Sequence, residues 1–228
     1  MRDNIILLHG ALGSYRQLYQ LQNLLESDFN VFGFDFIGHG HDSSNIPFSI
    51  SNFSLQLEKF IHERNLSGCH IFGYSMGGYV ALTLAAMRPG LIGHILTLGT
   101  KFNWNPEIAE KESRMLNSEK IQEKIPSFAT RLMELHTGLG WKNVLSNTAS
   151  MMIELGNNPP LNAAELSHVP NKVMICLGEL DTMVSPEESL KAAEKLNLGT
   201  LHIIKDMEHP IEKADMKVLA DLIRIHFR

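Results

Sequence analysis

The chain has 228 residues, 44% hydrophobic and 20% charged, and 20 Lys and Arg against 25 Asp and Glu give a formal net charge of −5. This composition fits one soluble globular domain long enough to bury a large core. It excludes a basic nucleic-acid-binding surface, and no like-charge run is long enough to form a tail.

The first apolar run, Ile5-Ile6-Leu7-Leu8, ends at His9-Gly10. It is too short for a secretory signal, and no apolar stretch has the length to cross a membrane. An unbroken run of this kind predicts a strand covered on both faces. Ser14-x-x-Gln17 forms a capping box ahead of a helix whose Leu18, Leu21 and Leu25 keep helical spacing. Val31-Phe32-Gly33-Phe34 is the next strand, running into Asp35-Phe36-Ile37-Gly38-His39-Gly40-His41. Ile50, Phe53, Leu57, Phe60 and Ile61 mark a second helix.

A strand over 68–73 then meets Gly73-Tyr74-Ser75-Met76-Gly77-Gly78, and a helical segment from Tyr79 to Met87 follows. A G-x-S-x-G at a strand-to-helix junction reads as a nucleophile elbow. Small residues on either side let strand and helix approach closely, and the helix start favours an anion beside the serine. The next strand spans His94 to Leu98 and ends at Gly99-Thr100. Strand and helix alternate, so the sheet is parallel with helices on both faces. Ligands in such sheets gather at the C-terminal strand ends, where His9-Gly10, Asp35, Ser75 and Thr100 lie.

From Lys101 to about Pro170 no strand signal appears. Helical pieces are predicted near 106–116, 118–136, 141–155 and 161–167. That is too long for a loop in a compact domain. The expected organisation is a core of 1–100 and 171–228 with a helical cap over 101–170. The cap carries Phe102, Trp104, Phe128, Met133, Leu139, Trp141, Met151 and Met152. Leu12, Phe102, Trp104, Phe128 and Trp141 are the candidate substrate contacts. The sheet resumes at Val173 to Leu177. A capping box at Ser185-Pro186-Glu187-Glu188 opens a helix, Leu201 to Ile204 is the last strand, and a final helix turns Ile211, Val218, Leu222 and Ile225 inward. The fold class is α/β: a mostly parallel sheet of about six strands with an inserted helical cap.

A serine hydroxyl needs a base to take its proton and an acid to orient that base. In this topology the order is nucleophile, acid, base, each after a strand. Ser75, Asp181 and His209 meet it. Glu179 and Asp206 compete with Asp181 for the acid, but Asp206 shares one turn with His209. Among the eleven histidines, His209 alone follows the last strand and precedes the last helix. His70, His94 and His202 belong to strands, His62 and His226 ride solvated on helices, and His136 and His168 lie in or beside the cap. The oxyanion donors are the Met76 amide and one from the loop after the first strand, Ala11 ahead of Leu12. His9 holds that loop and Asp35 bonds backbone amides. His39-Gly40-His41-Asp42 lacks further ligands at metal-site spacing, so no metal is expected, and no nucleotide-binding motif is present. Cys69 and Cys176 read as buried reduced thiols, which suits the cytoplasm.

His9-Gly10-Ala11, Asp35-x-x-Gly38-His39-Gly40 and Gly73-x-Ser75-x-Gly77-Gly78, with Asp181 and His209, resemble the α/β-hydrolase fold superfamily across the whole chain. The most similar branch holds small carboxylesterases, carbon–carbon bond hydrolases, thioesterases and haloperoxidase-like esterases. The resemblance implies a cytoplasmic serine hydrolase that cleaves a small to medium acyl ester, with no metal or cofactor, no nucleic acid and no membrane partner. Carbon–carbon hydrolysis, thioester hydrolysis or a lyase step on the same residues are the alternatives, followed by a non-catalytic receptor. Lys101 and Arg131 read as solvated cap charges and would greet a carboxylate only in the carbon–carbon case. The family's usual first two strands have no counterpart ahead of His9-Gly10, and the lipase-type His-Gly-Gly-Gly is missing. Ser75 stands where epoxide hydrolases and dehalogenases carry an aspartate. A menaquinone-pathway relative carries an arginine where this chain has Tyr79.

Overall fold

Alternation along each strand decides which layer its side chains enter. In β1 (Asn4–Leu8), Ile5 and Leu7 join one apolar cluster while Ile6 and Leu8 join another on the opposite face. All four are fully buried, each contributing about 1.5–3 kcal/mol. The computed structural model describes residues 2–227, so Met1 and Arg228, the first and last residues of the expected core, lie outside it.

The chain continues through α1 (Tyr19–Leu25), β2 (Asn30–Gly33), α2 (Ile50–Glu63), β3 (His70–Tyr74), α3 (Met76–Met87) and β4 (Ile95–Leu98). Five helices follow before the next strand: α4 (Pro106–Arg114), α5 (Ser118–Lys124), α6 (Pro126–Leu135), α7 (Trp141–Asn157) and α8 (Ala163–Ser167). β5 (Lys172–Gly178), α9 (Pro186–Lys195), β6 (Leu198–Ile204) and α10 (Met216–Phe227) complete it. The strands form one parallel sheet in the order β2-β1-β3-β4-β5-β6. Helices α1 and α10 cover one face, and α2, α3, α8 and α9 cover the other. Helix α3 is buried from Met76 through Ala85, as a helix apolar all round requires.

The strand order reverses between β1 and β3, whose register sets Leu8 beside Gly73. A crevice opens at such a reversal. The loops after β1, β3, β5 and β6 all leave from this edge of the sheet.

Several boundaries differ from the sequence expectation. The Ser14 capping box closes a 3-10 turn, Tyr15–Leu18, and α1 begins only at Tyr19. The helix expected over 118–136 is two, because Pro126 forces Ile125 out of helical geometry (φ −137°, ψ 61°). Ile211 sits in a short 3-10 turn, so α10 takes its phase from Met216 instead. It buries Met216, Leu219, Ala220 and Ile223, while Val218 and Ile225 face solvent. His226, expected on the solvated face, is buried, and its Nε2 meets the Ile95 carbonyl at 2.9 Å. Cys69 and Cys176 are unpaired and buried, and burial pushes both thiols up to about 12. Among the described residues no helix is long and apolar enough to cross a membrane.

Candidate active site

Ser75 sits between β3 and α3 with φ 50° and ψ −114°. A side chain in this region costs about 1–3 kcal/mol, so the surroundings must enforce it. The Ser75 amide donates to the Leu98 carbonyl at 2.7 Å, and the Ser75 carbonyl accepts from Thr100 Oγ1 at 2.9 Å and from the Gly78 amide at 3.1 Å. The turn is tight enough that a Cβ on Gly73 would lie 2.5 Å from Gly78 Cα. One on Gly77 would lie 2.7 Å from the Leu8 and His9 carbonyl oxygens of the neighbouring strand. Only hydrogen fits at either position. Ser75 Oγ makes no hydrogen bond among the described residues and lines a cavity of about 540 Å³, part of it open to solvent.

His209 lines the same cavity from the loop after β6. Its Nδ1 lies 2.7 Å from Asp181 Oδ2, in the loop after β5. Asp181 Oδ1 accepts from the Met183 amide at 2.8 Å and the Val184 amide at 3.0 Å. The two side chains are 9% and 1% exposed. Burial pushes the Asp181 carboxyl up, but the hydrogen bond and charge of His209 and the two amides outweigh it, and the net shift is down. An ionised Asp181 keeps the proton on Nδ1 and leaves Nε2 as the acceptor. Gly99, at φ 61°, passes beneath the pair; a Cβ there would come within 3.1 Å of the imidazole. Tyr74 donates its hydroxyl to the His209 carbonyl at 3.1 Å.

Ala11 and Met76 also line the cavity. Met76 opens α3, where backbone N–H groups lack helical partners. The loop carrying Ala11 is held by buried histidines. His9 Nε2 accepts from the Phe36 amide at 3.0 Å, so its Nδ1 carries the proton and donates to the Gly10 carbonyl at 2.8 Å. His136 Nδ1 accepts from the Gly40 amide at 3.0 Å, so its Nε2 donates to the Leu12 carbonyl at 3.0 Å. Leu12 is itself left-handed, at φ 58°. Asp35 Oδ1 accepts from the Tyr15 amide at 2.7 Å, just beyond the loop. Among the described residues no group of three His, Cys, Asp or Glu is arranged to hold a metal ion.

Residues 3–120, just over half of the chain, match the family model of the alpha/beta hydrolase fold. The chain belongs to the α/β-hydrolase family. It is 28% identical over 120 residues to RutD of Pseudomonas syringae pv. syringae (strain B728a), provisionally named a carbamate hydrolase, a match covering 50% of this chain and 46% of RutD. The chain thus spans about half the length of that relative. Among solved structures, MGS-M2, an alpha/beta hydrolase from a Medee basin deep-sea metagenome library, superposes with a TM-score of 0.80 at 16% identity, over 99% of this chain and 89% of that one. E-2-(acetamidomethylene)succinate hydrolase gives 0.80 at 15% identity, over 100% and 92%. At these identities the two structures speak for the fold alone.

Of the five side chains expected to contact substrate, this α/β hydrolase brings only Trp104 to the cavity. Phe128 and Trp141 belong to a small core that the inserted helices make for themselves with Ile121, Leu132 and Leu145. Phe102 faces a separate cleft against α9, and Leu12 packs between the insertion and the main core. Large apolar groups of an insertion fill its own interior before they line a cavity. His136 is buried behind the Leu12 carbonyl. Lys101 does line the cavity, but its ammonium is tied to the Met183 carbonyl at 2.9 Å and lies 3.6 Å from Glu112. Arg131 pairs with Glu212 at 3.2 Å. Sequence reasoning missed Ile50, Tyr79, Leu155 and Val184 in the lining. It also missed Tyr74 and Gly99, whose service to His209 crosses too many residues to leave a local pattern.

Proposed function

We propose that this chain is a serine hydrolase that cleaves a small to medium, uncharged carboxylic ester through an acyl-enzyme. The observation that carries this reading is the 2.7 Å His209–Asp181 hydrogen bond beside a cavity that Ser75 and His209 share. Ser75 Oγ attacks the acyl carbon as His209 Nε2 takes its proton. Asp181 stabilises the resulting imidazolium. The Ala11 and Met76 amides hold the tetrahedral oxyanion, each donor worth about 3 kcal/mol. The carbon–oxygen bond to the alcohol then breaks, and His209 hands its proton to the departing oxygen. Water attacks the acyl-enzyme with His209 again as base, and the acid leaves as Ser75 recovers its proton.

The lining supports an uncharged substrate. Ile50, Tyr79, Trp104, Met151, Met152 and Leu155 are apolar walls, and Lys101 and Glu112 neutralise one another. The helices between residues 101 and 170 serve in this reading as a cap that keeps bulk water from the acyl-enzyme. The test is labelling by a fluorophosphonate serine probe, read by intact mass, together with hydrolysis of a short p-nitrophenyl ester. Wild type should take up one equivalent and turn over the ester, and Ser75→Ala and His209→Ala should do neither. Folded wild type that resists the probe overturns the reading. Labelling with turnover of a dienone but of no ester moves it to carbon–carbon hydrolysis.

A further inference from the structure

Three side chains close the cavity on the side facing α2 and α7: Ile50, Met151 and Leu155. The same three form one wall of a second cleft of about 280 Å³, whose other lining includes Ser49, Ser51, Glu154 and Asn158. They therefore stand as a single layer between an apolar chamber and a polar one. They are 3%, 3% and 5% exposed, so each is covered from solvent although it borders both cavities. Met151 and Leu155 lie four residues apart on α7 and share one face of it. Ile50 opens α2 opposite them.

The sheet assigns a direction to the cavity. His209 and Asp181 arrive from the β6 and β5 side, whereas α2 follows β2 at the opposite edge. The leaving alcohol must lie beside His209 to receive its proton, so the acyl chain runs away from it, toward α2 and α7. Its methylenes gain burial until they reach the layer and meet the polar cleft lined by Ser49, Glu154 and Asn158 beyond it.

We propose that Ile50, Met151 and Leu155 form the floor of an acyl-binding chamber and set the longest straight acyl chain that the protein accepts. This rests on the acyl-enzyme reading above. Each methylene buried before the floor raises the rate constant about fourfold, and those beyond it add nothing or clash. Met151 is the yielding element, because an unbranched thioether can be shortened without disturbing the backbone.

A series of straight-chain alkyl fluorophosphonates, from methyl to dodecyl, tests this without knowledge of the natural substrate. The second-order labelling rate of Ser75 should climb with chain length in wild type and then break downward. Met151→Ala should move the break outward by about three carbons, the length of side chain removed. Leu155→Ala should move it outward as well, and Ile50→Phe, which fills rather than empties, should move it inward. Met133→Ala, exposed on α6, should keep the wild-type break. A wild-type rate without a break, or a break that none of the three floor variants moves, overturns the chamber while leaving the acyl-enzyme reading intact. Failure of every probe, methyl included, to label wild type overturns both.

Discussion

Acidification from pH 8 to pH 5 should remove about 4 kcal/mol of folding stability, and buried neutral histidines are the cause. His9, His39, His136 and His226 are each no more than 1% exposed. Burial lowers His9 and His226 from 6.5 to about 4, against the raising effect of their backbone hydrogen bonds. At pH 5 the unfolded chain holds nearly a full proton at each of these two groups and the folded chain almost none. The difference is about 2 kcal/mol per group. The sign follows from the lowered values: stability is complete above pH 6.5 and is lost as pH falls toward 4. Burial drives His39 well below its ordinary value and lowers His136 too, so both add in the same direction. Asp181, also lowered, acts only below the ordinary carboxylate range. Urea titrations at pH 8, 7, 6 and 5, followed by the fluorescence of Trp104 and Trp141, measure the effect. The slope near pH 5 should correspond to at least about two protons taken up on unfolding, since His39 and His136 add to the two from His9 and His226. His226→Gln should reduce it by about one. A free energy that changes by less than ~1 kcal/mol between pH 7 and pH 5 would refute the neutral-histidine account.

Three further outcomes follow from the elbow and its partners. Asp181→Asn should lower kcat about 10⁴-fold with KM little changed, because the amide no longer holds the proton on Nδ1; steady-state kinetics on a short ester checks it. Gly73→Ala should cost about 3 kcal/mol or more, since the new methyl meets the Gly78 backbone, and an unchanged thermal midpoint would contradict the close approach. Ser75→Gly should abolish probe labelling yet raise stability by about 1 kcal/mol, as relief of the strained φ and ψ exceeds the added chain entropy; calorimetry against wild type decides.

The central strands were legible because both their faces are covered. Ile5 to Leu8, Ile71, Phe72, Ile95, Leu96 and Val173 are fully buried and read as apolar runs. β6 was not fully legible. It is an edge strand with Leu198 and Ile203 exposed, so its first half carries no apolar signal. For the candidate site, chain order pointed to three strand-end loops, and the fold brings Ser75 and His209 to one cavity and bonds Asp181 to His209. The chamber around them was harder. Aromatic bulk pointed to Phe128 and Trp141, whereas the floor is made by Met151 and Leu155, whose meaning depends on how α7 is rotated against α2. The fate of His136 was likewise unreadable, since it depends on contacts with Leu12 and Gly40 at long sequence distance.

β4 and β5 pair in parallel, so the helical segment between them leaves the C-terminal end of β4 at Leu98 and returns to the start of its neighbour at Lys172. For the sheet, the insertion is a closed loop whose ends are already fixed. Closure entropy grows only with the logarithm of loop length, and doubling the inserted segment costs about 0.6 kcal/mol. The segment between β4 and β5, which carries Trp104, Met151 and Leu155, can therefore lengthen, shorten or be exchanged at little thermodynamic expense to the sheet. The elbow and the His9 loop come before the insertion, and the His209–Asp181 pair comes after it. Much of the cavity lining, Trp104, Met151, Met152 and Leu155, can thus change within one contiguous segment, while Ile50, Tyr79 and Val184 stay with the elements around the sheet.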